Sequence, residues 1–356
     1  MKFWFSSKPK YFLVLDVGRE AVRALIFKKE KDKLVILSYS CEKNIHQAIE
    51  AVKAETGFKP LKVFLTLPAD ILKGRIIFKS FSRGNALKII DKNEEENIYR
   101  SVLKQAQQST SQIFFQNSGI LPEELEFIEL KILETKLNGY QVSDLRGRKG
   151  KDLEFRIFAS FLPKFYLDNL KRDLKTLGLK SFKISHQAQN IGSISQQDEM
   201  IAIEVREEFT QIFLRQNGKL TWIAEFDGGS NNFIRSLSHT FGLSPQGAKD
   251  FIERYLQRSL SEETRARLRE IFLDIAKEWL FGLKSKLKEF KGLPPSTFFI
   301  FGEGAEIPEI QEVLSEENWQ IKLIHPKVFQ NIIDTTHTLN KPRDISLISL
   351  SYAESA

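Results

Sequence analysis

The chain has 356 residues, 42% of them hydrophobic, and its 53 basic and 46 acidic side chains give a net charge of +7. This length and hydrophobic content suffice for more than one core, which predicts two lobes. The single cysteine excludes an internal disulfide framework, and no run approaches the roughly 18 apolar residues of a membrane span. Because the charges are interspersed rather than clustered, nucleic-acid binding is not indicated. The single cysteine suits a reducing cytosol and residues 1–10 have no apolar core of signal-peptide length, so we predict a cytoplasmic protein.

The first predicted element is a strand, a tight turn and a second strand over residues 11–27. Leu13, Val14 and Leu15 have the composition of a buried strand that ends at Asp16, and Gly18 permits the turn. This pattern is typical of a hairpin that binds phosphate. An amphipathic helix over 45–56 and a strand over 63–67 complete the opening half of the first lobe, which we assign to residues 1–78.

A small inserted α+β unit is predicted over residues 79–163. It holds a polar helix over 93–109 and three strands, including 126–134 and 153–161. Helical spacing of apolar residues over 164–177, with a stop at Gly178, predicts a helix that returns the chain to the first lobe within 164–197.

The second lobe is assigned to residues 198–356. Residues 200–222 predict a hairpin that turns at Asn217-Gly218, and helices are expected over 230–290. Two further glycine turns, Gly228-Gly229 and Gly302-Glu303-Gly304, each follow an apolar run and precede a helical pattern. Three strand-to-glycine-to-helix turns predict a nucleotide cleft between two lobes.

These turns, their order and their spacing resemble the actin-like ATPase superfamily, and within it the bacterial FtsA and PilM group. The resemblance spans nearly the whole chain and implies an α/β, two-lobed actin-like (ribonuclease H-like) fold. The segment 127–161 resembles the small subdomain that FtsA carries, so an FtsA-type inserted subdomain is expected. The tail 344–353 resembles the closing strand and small-residue helix of the same fold.

The resemblance implies ATP and magnesium as cofactors and carries over a set of candidate residues. Asp16 and Glu204 are the candidates for holding magnesium, and Glu204 is also the one catalytic candidate. The candidate nucleotide-binding residues are Asp16, Gly18, Arg19, Gly228, Gly229, Lys249, Glu253, Gly302 and Gly304.

Three departures from the family pattern put ATP binding in doubt. Arg19 stands where the family has Thr or Ser, and it either contacts phosphate or closes the loop. The second hairpin, 204–208, has no glycine, and we favour a solvated charged turn over a metal site there. Lys249 and Glu253, four residues apart, are expected to pair with each other on one helix face.

No other catalytic constellation emerges from the residues. The five histidines are scattered without metal-ligand spacing, which argues against a zinc site. Cys41 is expected to be a packed small residue rather than a nucleophile.

The resemblance implies an FtsA-like scaffold that links the division-ring tubulin homologue to the membrane, with weak or absent ATP turnover. The chain stops at Ser355-Ala356 without the amphipathic helix of FtsA, so attachment at the inner face of the membrane is expected through partners. One alternative is a PilM-like platform subunit of type IV pilus assembly, which binds a short cytoplasmic peptide of a membrane protein. Another is an active ATPase, which the missing glycines disfavour. Self-association into filaments also follows from the resemblance.

Overall fold

The computed structural model describes residues 11–57, 60, 62–195 and 197–355, which form three sheets. The first sheet contains Tyr11–Val17 (β1), Val22–Glu30 (β2), Lys33–Glu42 (β3), Lys62–Thr66 (β4), Phe182–Ile184 (β9) and Ile332–Asp334 (β15). The second contains Met200–Val205 (β10), Phe209–Gln216 (β11), Lys219–Asp227 (β12), Thr297–Phe301 (β13) and Gln320–Leu323 (β14). The third contains Lys73–Ser82 (β5), Leu125–Leu137 (β6), Tyr140–Val142 (β7) and Asp152–Pro163 (β8).

The helices cover the faces of these sheets. They are Ile45–Thr56 (α1), Lys92–Ser118 (α2), Lys164–Thr176 (α3), Gln187–Asn190 (α4), Ser230–Phe241 (α5), Pro245–Leu256 (α6), Glu262–Glu289 (α7), Pro308–Ser315 (α8) and Ile345–Ser355 (α9). Among the helices of the described residues, none combines the length and hydropathy that a bilayer crossing requires.

The first two sheets repeat one topology. The order β3-β2-β1-β4-β9 in the first corresponds to β12-β11-β10-β13-β14 in the second. In each sheet, the first three strands in chain order form an antiparallel meander. The next strand pairs in parallel with the first strand, and the last strand of this order pairs in parallel with that one. We call the parts built on these sheets the first and second lobes. The β1–β2 turn and the β10–β11 turn therefore occupy equivalent positions, one in each lobe.

The lobes share a hydrophobic core at their base. Val14 and Phe27 of the first sheet belong to one buried cluster with Phe213 and Phe299 of the second, together with Leu347 of α9. Because central strands such as β1 are covered on both faces, they have continuous apolar runs rather than alternating ones. This core fixes the base of the cleft, while the two hairpin turns lie at its polar side.

The third sheet and α2 form the inserted α+β unit, with a core of its own that includes Ile98, Val102 and Phe155. The domain bounds 1–78, 79–163, 164–197 and 198–356 stay predictions. The first strand of the inserted sheet begins at Lys73, and β8 leads directly into α3 at Pro163.

Several predicted elements differ in detail from the structure. The helix expected over 93–109 continues to Ser118, where Gly119 ends it with φ of 73°. Asn217-Gly218 does form a tight turn, but it joins β11 to β12 and a second hairpin precedes it. The closing strand expected in 344–353 is wrong, because that segment is helical; β15 is the last strand of the described residues. Cys41 is exposed rather than packed.

Candidate functional site

The two equivalent hairpin turns meet across the cleft through a buried ion pair. Asp16 is the second-last residue of β1, and Arg206 directly follows β10 in the β10–β11 turn. An Arg206 guanidinium nitrogen, Nη2, donates to Asp16 Oδ1 at 2.7 Å, and the two side chains are 4% and 1% exposed. A guanidinium therefore lies where the resemblance placed magnesium and phosphate.

A second buried arginine reaches the same carboxylate from the neighbouring strand. Arg23 lies directly opposite Asp16 in the β1–β2 register, and its Nη1 donates to Asp16 Oδ2 at 3.1 Å. The Nη2 atom of Arg23 also donates to Glu303 of the second lobe. Both oxygens of Asp16 are thus occupied by guanidinium groups.

Glu204, the catalytic and metal candidate, is fully buried at the end of β10. The Ser346 hydroxyl donates to Glu204 Oε1 at 2.5 Å, and Arg206 Nη1 lies 3.6 Å from the same oxygen. Burial raises the pKa of Glu204 to about 7, an effect that Arg206 only partly offsets. Its second oxygen, Oε2, is buried without a hydrogen-bond partner, as suits a carboxyl that is neutral for part of the time.

The charged turn after Glu204 is buried, so the expectation of a solvated turn is wrong. Arg206 and Glu207 are 4% and 6% exposed. The backbone N–H of Arg19 donates to Glu207 Oε2 at 3.1 Å. Burial, with the nearby Glu303 carboxylate, raises the pKa of Glu207 to about 7. These charges are tolerated because partners from distant segments enclose them.

The backbone N–H groups at the N-terminus of α5 already have hydrogen-bond partners in the same turn. The N–H groups of Ser230 and Asn231 donate to the carbonyls of Arg206 and Glu207, each at 2.8 Å. The first N–H groups of a helix are the ones that bind phosphate when they are free. Gly229, the N-cap, packs so closely on these carbonyls that a Cβ would overlap them.

The remaining glycines serve the same close packing. Gly228 and Gly302 have φ of 150° and 99°, which favour glycine. A Cβ at Gly302 would overlap the Val205 carbonyl, and one at Gly304 would overlap the Val205 side chain. Gly18 allows the first turn to close, since its N–H donates to the Ala21 carbonyl at 2.9 Å.

A cavity of about 230 Å³ lies beside these ion pairs, where the resemblance places the nucleoside. Lys249 and Glu253 of α6 both line it, but the expected pair between them is wrong, because Lys249 pairs with Glu20 of the first turn. Five carboxylates and three basic side chains line the cavity: Glu20, Glu207, Glu253, Glu303, Glu306, Arg23, Lys249 and Arg343. The excess of carboxylates disfavours a polyanion.

Arg19 takes no part in this cluster through its side chain. Its guanidinium is 52% exposed and pairs with Asp70, with Nε 2.6 Å from the Asp70 carboxylate. The structure therefore brings together all the candidate residues except the Arg19 guanidinium. Arg23, Glu207 and Glu303 are members that the sequence analysis did not include. The cross-strand position of Arg23 opposite Asp16 was the signal available for it.

The residues of this cleft do not fit magnesium and a nucleotide. Both oxygens of Asp16 already accept hydrogen bonds from arginines, and the first N–H groups of α5 already donate to backbone carbonyls. The cavity is lined by more carboxylates than basic side chains. Within the described residues, no group of three or more His, Cys, Asp or Glu side chains is arranged to hold a metal ion. ATP and magnesium stay unconfirmed predictions.

A larger groove of about 910 Å³ lies away from this cleft and is lined by the inserted unit, the first lobe and the β11–β12 hairpin of the second lobe. We call it the β6–β9 groove. Its apolar lining includes Ile128, Leu133, Phe158, Leu167, Phe182 and Ile184. Its charged lining comprises Lys131, Lys171, Lys180, Lys183, Arg215, Glu129 and Glu354.

Two strand edges border this groove. Among the described strands, β9 pairs only with β4 and ends the first sheet. On the side away from β8, β6 is paired only over Thr135–Leu137, where β7 ends. An unpaired strand edge presents backbone N–H and C=O groups that can bind an extended peptide.

No protein-family model and no curated protein matches this chain. A solved structure described as a PilM-PilN type IV pilus biogenesis complex matches with a TM-score of 0.70 and 12% identity, over 95% of this chain and 97% of that one. The fold is that of the actin-like ATPases.

Two further solved structures share the architecture at lower similarity. The ethanolamine utilization protein EutJ from Carboxydothermus hydrogenoformans has a TM-score of 0.52 and 8% identity, over 97% of this chain and 90% of that one. A glycerol dehydratase reactivase has a TM-score of 0.51 and 8% identity, over 97% and 100%. At these identities the likeness shows the fold alone.

Proposed function

We propose that this protein is a PilM-like platform subunit that binds a short cytoplasmic peptide of a membrane protein, without nucleotide turnover. The β6–β9 groove is the observation that carries this proposal. Its volume lies within the range of ligand pockets, roughly 300–1,000 Å³, and its two strand edges suit an extended chain. The similar structure of a PilM-PilN complex supports a protein partner for this fold.

The groove also favours a particular kind of peptide. Its lining combines apolar side chains with five basic side chains and only two carboxylates. One of those carboxylates, Glu354, already pairs with Lys183 at 2.7 Å. Lys131 and Lys171 are exposed at the rim. We therefore expect an extended peptide with alternating apolar and acidic side chains.

A role as an FtsA-like scaffold is compatible with this fold and stays a prediction. An active ATPase is disfavoured by the two arginines that occupy the cleft around Asp16. Location at the inner face of the membrane, through the bound partner, is part of the proposal. Filament formation is a separate prediction, and peptide binding in the groove neither requires it nor excludes it.

The test is peptide binding measured by fluorescence anisotropy. The probes are short overlapping peptides from the cytoplasmic segments of membrane proteins encoded beside this chain. The variant is Lys131→Glu with Lys171→Glu, which reverses the charge of the groove rim. At about 0.2–1 kcal/mol per exposed pair, we expect roughly tenfold weaker binding of an acidic peptide.

The matched control is Lys104→Glu with Lys149→Glu, which makes the same charge change at exposed lysines of the inserted unit outside the groove. The control should bind like the wild type. Binding by none of the peptides, or equal weakening in both variants, would contradict the proposal.

A further inference from the structure

Two buried arginines cross the cleft in opposite directions. Arg206 of the second lobe reaches Asp16 of the first, and Arg23 of the first lobe reaches Glu303 of the second. The arginine side chains are only 4% and 3% exposed. Each guanidinium also contacts a carboxylate of its own lobe: Arg206 lies 3.6 Å from Glu204, and Arg23 lies 3.1 Å from Asp16.

The sequence resemblance placed phosphate and magnesium between these two turns. Here the same position is filled by side chains that carry a permanent positive charge and a fork of donors. We infer that Arg206 and Arg23 replace a nucleotide as the link between the lobes, so that the cleft is held closed by the protein itself. This closure goes beyond the proposed function, because it does not depend on what the groove binds.

Further contacts at the rim of the cleft act in the same direction. The Asn231 amide of α5 donates to Glu20 of the first turn at 2.8 Å, and Lys249 of α6 pairs with the same glutamate. Lys73 of β5 connects the inserted unit to the second lobe, with its Nζ 2.8 Å from Glu225 of β12. The side chain of Glu20 is 37% exposed, far more than any side chain of the arginine pairs, so we assign the main part of the closure to Arg206 and Arg23.

The shared apolar core fixes how the lobes would separate. It joins the two sheets at their base through α9, which packs between them. Loss of the arginine pairs should therefore leave the lobes attached at the base and let the cleft open about it, as in hinge motions of other two-lobed proteins. With the pairs in place, the chain is a rigid platform rather than a nucleotide switch.

Distances between spin labels on the two lobes test this inference. One label is placed on α1 by Glu50→Cys and the other on α6 by Asp250→Cys, in a Cys41→Ser background. The unlinked variant removes both bridges without changing the net charge of the cleft: Asp16→Asn, Arg23→Met, Arg206→Met and Glu303→Gln. Neutralising both partners avoids leaving Asp16 or Glu303 as an unpaired buried charge, which would destabilise the fold. Glu204 keeps the Ser346 hydroxyl as a donor, and Glu207 keeps the Arg19 N–H.

The matched control removes two ion pairs that lie within the second lobe: Arg269→Met with Glu312→Gln, and Lys284→Met with Glu317→Gln. We expect the wild type and the control to give the same single narrow distance, unchanged by millimolar magnesium and ATP. The unlinked variant should shift to longer and broader distances.

Two results would overturn the inference. One is an unlinked variant that keeps the wild-type distance. The other is a wild-type distance that shortens or narrows when magnesium and ATP are added, and this arm decides the matter even if the unlinked variant does not fold. Peptide binding in the groove is measured separately, so failure here leaves the proposed function standing.

Discussion

Arg206→Met should cost more stability than the loss of any surface ion pair. The substitution keeps an unbranched side chain of similar length but removes the charge between Asp16, at 2.7 Å, and Glu204, at 3.6 Å. Removing one partner of a buried pair costs about 3–5 kcal/mol. Asp16 keeps Arg23, and Glu204 keeps the Ser346 hydroxyl. We therefore expect the lower end, about 3 kcal/mol.

The assay is urea unfolding near neutral pH, followed by tryptophan fluorescence. Trp222, Trp279 and Trp319 all pack in or against the core of the second lobe. Trp279 is the nearest to the altered turn, since its Nε1 donates to Thr210 Oγ1 at 2.8 Å. The control is Arg269→Met, which removes an arginine from a half-exposed pair with Glu312 and should cost under about 1 kcal/mol. Equal losses in the two variants would refute the assignment of Arg206 as a buried structural cation.

Three further predictions follow from the same cleft. Because burial raises the folded-state pKa of Glu207 to about 7, the stability that its bound proton provides is lost as pH rises through that value. The free energy of unfolding should thus fall as pH rises from about 4.5, the ordinary glutamate value, to about 7, and it should level off above that. Glu204, whose pKa burial also raises to about 7, adds to this fall, whereas His186, whose pKa burial lowers from 6.5 to about 4, makes stability rise with pH between those two values. Glu207→Gln should reduce this fall, and an unchanged slope would contradict it. Arg206→Gly with Glu207→Gly frees one oxygen of Asp16, Oδ1, although Arg23 still donates to the other. The variant should gain magnesium-dependent ATP binding detectable by calorimetry; identical isotherms for the variant and the wild type would show that these two side chains are not what prevents binding. Gly302→Ala, at φ of 99° with its Cβ against the Val205 carbonyl, should cost at least about 1–3 kcal/mol in urea unfolding, whereas Gly84→Ala, which has open space, should be near neutral.

Local signals in the sequence predicted much of the fold. The helix Ile45–Thr56 has the expected bounds, since Asn44 caps its start and Gly57 ends it. Asn217-Gly218 forms a tight turn with φ of 50° and 71°, as that dipeptide favours. The wide spacing of the glycine turns predicted the two-lobed cleft.

The chemistry of the cleft was harder to predict, because its partners are far apart in the chain. Arg206 and Asp16 are separated by 190 positions, so the usual rule that charge runs are solvated failed at this turn. Only the pair of Asp16 with Arg23 had a local signal, the register of the β1–β2 hairpin. The β6–β9 groove had none, since β6, α3 and β9 meet only in the folded chain.

Calorimetric titration of the purified wild-type protein with ATP, in magnesium and again in chelator, tests the central claim most directly. If Arg206 and Arg23 occupy the place of the nucleotide, no binding heat should appear at millimolar ATP in either buffer. Micromolar binding that requires magnesium would contradict the claim, because Asp16 would then have to exchange its arginines for the ligand.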